Sequence, residues 1–98
     1  MLIDTPLKEN DIVSIKTIYA EEVVAKYLAE DDKQVTIAKP LSIMATQTGL
    51  GLGPFAFSVP ADSKIKINKT AIAWMAKTDK DIANQYITTT TGIQTSLA

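Results

Sequence analysis

Apolar residues recur at every second position through most of the first 77 residues, a period that sets one side of an extended strand against a core and the other in water. Within residues 11–20, Val13, Ile15, Thr17 and Tyr19 share a face. Glu21 and Glu22 mark a turn, after which Val23, Ala25, Tyr27 and Ala29 face one way and Val24, Lys26 and Leu28 the other. Val24, Tyr27 and Leu28 also have helical spacing; a strand is the preferred reading. Residues 34–45 alternate again through Val35, Ile37, Leu41 and Ile43, so Glu30, Asp31, Asp32 and Lys33 form the charged tip of a hairpin.

The pattern changes at residue 40. Residues 40–61 contain no charged side chain, and the middle of that run, TQTGLGLGPF, is rich in glycine. Its glycines and prolines argue against a transmembrane helix, and Gly49, Gly51 and Gly53 lack the spacing and the following Lys-Ser/Thr pair of a phosphate-binding loop. The expectation is a long hairpin with a flexible apolar loop at about 46–54, after which Phe55, Phe57 and Val59 resume a strand. An apolar loop left in water is unfavourable, which favours contact with a neighbouring subunit or partner.

In KIKINKTAIAWM, residues 64–75, Ile65 and Ile67 alternate with Lys64, Lys66 and Asn68, and a second apolar run covers residues 71–76. Lys69 and Thr70 fall at the bend between the two strands. Ile72 and Trp74 lie on one face of the second strand, so Trp74 is expected to be buried in the core or in a subunit interface. Thr78 followed by Asp81 resembles a capping box. Ile82 with Tyr86, and Ala83 with Ile87, have helical spacing, predicting a helix from about 79 to 87 or a little beyond, ended by four threonines and Gly92. At the other end, Asp4 or Thr5 before Pro6 suits a helix cap and one short turn over residues 6–10.

Composition narrows the functions. A chain of 98 residues with 46% hydrophobic content has room for one core, and 21% charged residues is ordinary for a globular domain. There is no cysteine and no histidine, which removes thiolate nucleophiles, disulfides, histidine-based triads and the usual structural zinc sites, and suits a reducing cytoplasm. Asp4 and the short apolar run beside it do not make a secretory signal, so no leader is expected. The formal net charge of -1 gives nucleic acid no overall attraction, so binding requires a local patch. All ten cations are lysine, which disfavours the bidentate arginine contacts common in sequence-specific DNA recognition. The carboxylates at 30–32 lack the ligand offsets and glycine turn of a calcium loop and read as a solvated turn.

Two stretches carry a family resemblance. INKTAIAWM, residues 67–75, resembles the second sequence motif of Sm-like proteins, in the bacterial form V-Y-K-H-A-I, with Lys69, Ala71 and Ile72 in register. Val13, Ser14 and Ile15 resemble the V-S-I opening the first motif; carried forward without gaps, Asp31 falls on the aspartate of that family's F-D turn. Ala20 and Ala25 depart from the pattern by standing where the first motif usually has glycine. The resemblance covers most of residues 11–77. It implies a mainly β fold: a small, strongly bent five-stranded antiparallel sheet or open barrel with a short N-terminal turn. Residues 1–98 would then be a single Sm-like domain, with the hairpin loop as an insertion and the C-terminal helix as an extension.

The resemblance also implies a homo-oligomeric ring that binds single-stranded, uridine-rich RNA through Asp32, Lys33, Asn68, Lys69 and Thr70. No catalysis, cofactor, metal or membrane contact would be involved, and the protein would be cytoplasmic, a divergent member of phage or bacterial type. Lys33 stands where an aromatic stacking residue would strengthen single-strand binding. The alternative is a structural or adaptor ring, for instance a phage assembly component, in which the lysines only keep the surface soluble.

Overall fold

A computed structural model of the chain describes residues 6–56 and 58–96, with side chains to residue 91. The cap expected at Asp4 or Thr5 and the position of Phe57 lie outside these residues. The fold is mainly β, with strands β1 (Ile12–Thr17), β2 (Glu22–Glu30), β3 (Gln34–Thr46), β4 (Gly49–Pro54), β5 (Lys64–Asn68) and β6 (Ile72–Lys77). A 3-10 turn, Lys69–Ala71, joins β5 to β6, and helix α1 (Lys80–Ser96) follows. The expected N-terminal turn is a bend at Glu9 and Asn10, closed by the Asp11 amide donating to the Lys8 carbonyl at 3.0 Å.

All pairings are antiparallel in one sheet of order β4-β3-β2-β1-β6. β5 also pairs with β3, through residues 34–38, while β4 takes residues 41–46. Because β2 occupies one edge of β3 along residues 35–42, β4 and β5 share the other. The sheet therefore has six strands rather than five, the glycine-rich segment supplying the extra one. No ladder joins β5 to β6 among the described residues, so the sheet is open.

Val13, Ile15, Val23, Ala25, Tyr27, Val35, Ile37, Ile72 and Met75 form the core on one face, with Leu7, Phe55, Ile65 and Ile67 at its margin. In β1, β2, β3 and β5 these are the alternating positions of the sequence, as burial of one strand face requires. Val24 points out of this cluster yet is also fully buried. Helix α1 is tied to β3 by Tyr86, whose side chain is buried and whose hydroxyl donates to the Lys39 carbonyl at 2.7 Å. Lys39 sits at a β-bulge: between the pairs Val24↔Leu41 and Lys26↔Ala38, β3 has one residue more than β2. Its φ of 51° is the left-handed conformation such bulges use.

A second bulge takes Trp74 out of the core, one of the two places expected for it. Lys16 pairs with Trp74 and Thr17 with Ile72, so Ala73 is an extra residue on β6. The alternation breaks there: Ile72 and Met75 are buried, whereas Trp74 is turned outward and 39% exposed.

The segment expected as a flexible loop is instead ordered strand. Residues 41–46 and 49–54 pair in register around a turn at Gln47 and Thr48, with Thr46 Oγ1 donating to the Gly49 carbonyl at 2.8 Å. Opposed residues share a face, so Leu41, Ile43, Ala45, Leu50, Leu52 and Pro54 line one side of this ribbon and Ser42, Met44, Thr46 and the three glycines the other. A β-carbon at Gly53 would overlap Met44 Cε, so the missing side chain makes room for Met44. The irregular connection lies after β4, and no strand resumes at Phe55 or Val59.

Helix α1 also outruns its expected end. Asp79 caps it, Oδ2 accepting the Asp81 amide at 3.1 Å, while Thr78 instead exchanges a hydrogen bond with Ser14 at 2.9 Å. The threonines do not stop it, and within it Thr90 and Thr91 direct their hydroxyls to the carbonyls of Tyr86 and Ile87 at 2.9 and 2.7 Å.

In the β1–β2 turn, Ala20 has φ 71°, a left-handed conformation that favours glycine. Relief of the β-carbon clash should outweigh the added freedom of the unfolded chain, so Ala20→Gly is expected to stabilise the fold by up to about 1 kcal/mol. Chemical denaturation checks this; a drop in stability would contradict it.

Candidate nucleic-acid interface

Two turns far apart in sequence meet at one end of the sheet. The β2–β3 turn is built by Asp31, whose Oδ1 accepts the amides of both Lys33 and Gln34 at 2.8 Å, while its own amide donates to the Gln34 carbonyl at 2.9 Å. An aspartate that ties down the backbone two and three residues ahead is a common turn device. Those two amides also hold the Asp31 carboxyl below its usual range. Asp32 and Lys33 are consequently displayed to solvent.

The second turn is the 3-10 segment after β5. Its first amide, Lys69 N–H, donates to the Lys33 carbonyl at 2.8 Å and fastens the two turns together. Beside this clamp Gln34 pairs with Asn68 across β3 and β5, and Gln34 Nε2 reaches Asn68 Oδ1 at 3.4 Å. Asp31, Asp32, Lys33, Gln34 and Asn68 line an open depression of about 420 Å³.

Of the five residues expected at the site, Asp32, Lys33 and Asn68 line this depression. Thr70 is exposed on the neighbouring 3-10 turn and does not line it. The backbone of Lys69 joins the cluster, but its ammonium is engaged elsewhere: Nζ is 2.7 Å from Glu30 Oε2, with both side chains about three-quarters buried. Glu30 Oε1 in turn accepts the Tyr27 hydroxyl at 2.8 Å. The hydrogen bond from Lys69 is the main cause holding the Glu30 carboxyl below its ordinary value, and burial, with Glu30 beside it, pushes the Tyr27 phenol up to about 12.

This pair has a pH signature. A carboxyl whose folded pKa is depressed adds stability at pH above its unfolded value, here 4.5, and loses it as pH falls through the folded value. Between neutral pH and acid, wild type should therefore lose more stability than Glu30→Gln, which keeps an acceptor for Tyr27 without the titrating charge. Urea denaturation at several pH values measures the difference; parallel curves would contradict the coupling.

Sequence reasoning missed Gln34 and Glu30. Gln34 was accessible from strand register, since pairing Val35 with Ile67 sets it opposite Asn68. Glu30 read only as part of an acidic tip, and its pairing depends on the three-dimensional approach of Lys69. A separate apolar depression of about 350 Å³ lies between the base of the β3–β4 ribbon and α1, lined mainly by Pro40, Leu41, Pro54 and Phe55. Lys39 and Asp62 also line it, with no salt bridge between them among the described residues. Among the described residues, no helix is long and apolar enough to cross a membrane. Compared with known proteins, the sequence matches no family model and no curated protein.

Proposed function

We propose that this chain is a non-catalytic, Sm-like RNA-binding protein that works as a homo-oligomeric ring. The observation that supports the reading most is the Lys69 amide to Lys33 carbonyl hydrogen bond, which makes one polar surface of the β2–β3 turn and the turn after β5. The two motif resemblances fall on β1 and on the turn leading into β6, and Ala20 has a glycine-like backbone where the family has glycine. Lys33 supplies an exposed cation, and Asn68, with an amide donor and an acceptor, suits a base edge or a 2′-hydroxyl.

Assembly follows from the edges. Among the described residues, the outer side of β6 and the side of β4 and β5 facing away from β3 end the sheet without a partner strand. Unpaired strand edges seek other strands, and a cyclic oligomer satisfies both at once. Repetition around a ring also multiplies a single lysine into a cationic rim, which a chain of net charge -1 needs for phosphate binding.

The Lys69–Glu30 pair favours a second reading, a structural or adaptor ring without RNA, because it neutralises one of the two cations the site relies on. Fluorescence anisotropy of a labelled oligouridine, titrated with protein across a range of salt, separates the two. RNA binding predicts affinity at low salt that falls steeply as salt rises. Absence of binding at low salt leaves the structural ring. Asn68→Ala is expected to change the preference between uridine and adenine oligomers more than the salt slope.

A further inference from the structure

The β1–β2 turn adjoins the candidate interface and is held by several hydrogen bonds. Thr17 is buried, and its hydroxyl accepts the amides of Tyr19 and Glu21 at 3.2 and 3.3 Å. The Ala20 amide donates to the Thr17 carbonyl at 3.0 Å, and the Thr17 amide to the Glu21 carbonyl at 2.8 Å. From the same turn the Ile18 amide donates to the Ala71 carbonyl at 2.9 Å. Ala71 is the last residue of the 3-10 turn whose first residue, Lys69, is bonded to Lys33. A 3-10 helix rises about 2 Å per residue, so the two anchor points are separated by one turn only about 6 Å long.

On this frame Tyr19 is 76% exposed, more than any other large hydrophobic side chain described. It therefore contributes little to the core, and the fixed turn presents it to solvent without a large backbone entropy cost on binding. We propose that Tyr19 is a base-stacking platform for single-stranded RNA lying across the 3-10 turn, an inference that rests on the RNA-binding reading. The β2–β3 turn has Lys33 where a ring would help, and Tyr19 supplies an aromatic face from the adjoining turn, with the exposed Thr70 between the two contacts. Tyrosine suits this role: its ring stacks on any base, and only two side-chain torsions must be ordered.

The test compares wild type, Tyr19→Phe and Tyr19→Ala for affinity to labelled oligouridine across salt, with light scattering on each protein. Removal of a base–aromatic stack lowers affinity about 10- to 100-fold. Tyr19→Ala is expected to show that decrease with an unchanged salt slope and unchanged oligomer size, and Tyr19→Phe to bind within about threefold of wild type, since the π-face is retained. If wild type binds and Tyr19→Ala binds equally well, the stacking role is overturned while the RNA-binding reading stands. If Tyr19→Ala breaks the oligomer, Tyr19 is a subunit contact and the stacking role is overturned. If wild type does not bind at low salt, both the stacking role and the RNA-binding reading fall.

Discussion

Tyr86→Ala is expected to destabilise the protein by about 3–5 kcal/mol, the range for removing a buried aromatic and leaving a cavity. Tyr86 is 1% exposed and, by tying α1 to β3, joins the helix to the opposite side of the sheet from the main cluster. Burial pushes its phenol up to about 12, so it remains a donor at ordinary pH. Its acceptor is the carbonyl of Lys39 at the β-bulge, so one hydrogen bond couples helix position to strand irregularity. Tyr86→Phe keeps the ring and removes that bond, and is expected to cost only about 1 kcal/mol. Urea denaturation of the two variants checks the contrast. A change below about 1 kcal/mol for Tyr86→Ala would mean that α1 contributes little to the fold.

Lys33→Ala should give the largest change in RNA binding among single lysine replacements. Lys33 is exposed at the tip of the β2–β3 turn and pairs with no carboxylate among the described residues. Removing one lysine–phosphate pairing on a single strand lowers the slope of log affinity against log salt by about 0.7, and in a ring the replacement removes one such pairing from every subunit that engages the RNA. Lys69→Ala is expected to flatten the slope less, because its charge is already balanced by Glu30. It should instead reduce stability by leaving a partly buried carboxylate without its cation. Salt titrations of both variants, with denaturation curves, measure this. A flatter slope for Lys69→Ala than for Lys33→Ala would show that Lys69 leaves Glu30 to bind RNA.

Alternation located β1, β2, β3 and β5 to within a few residues, because a strand with a face in the core repeats with a period of two, while β6 was marked by its apolar run. Alternation failed where a single residue is inserted. The bulge at Ala73 reverses the side of Trp74, and the bulge at Lys39 serves Tyr86, a partner 47 residues away that no local pattern shows. The glycine-rich run reads as a loop because glycine usually weakens strands. In β4 its small size admits Met44 over the ribbon instead, a packing fact invisible without register. Thr88 to Thr91 read as a helix stop from propensity, yet the hydroxyls of Thr90 and Thr91 find carbonyls one turn back within α1. At the candidate site, the approach of Lys33 and Asn68 was legible through the motif resemblance and the hairpin tip. The capture of Lys69 by Glu30 was not, since it depends on side-chain geometry across two elements.

Size-exclusion chromatography with light scattering, run with and without a short uridine-rich RNA at low and high salt, bears most directly on the central claim. The RNA-binding ring predicts one discrete oligomer at micromolar protein, RNA co-eluting with it at low salt, and free RNA with an intact oligomer at high salt. A stable monomer, or an oligomer that leaves the RNA unbound at low salt, would contradict it.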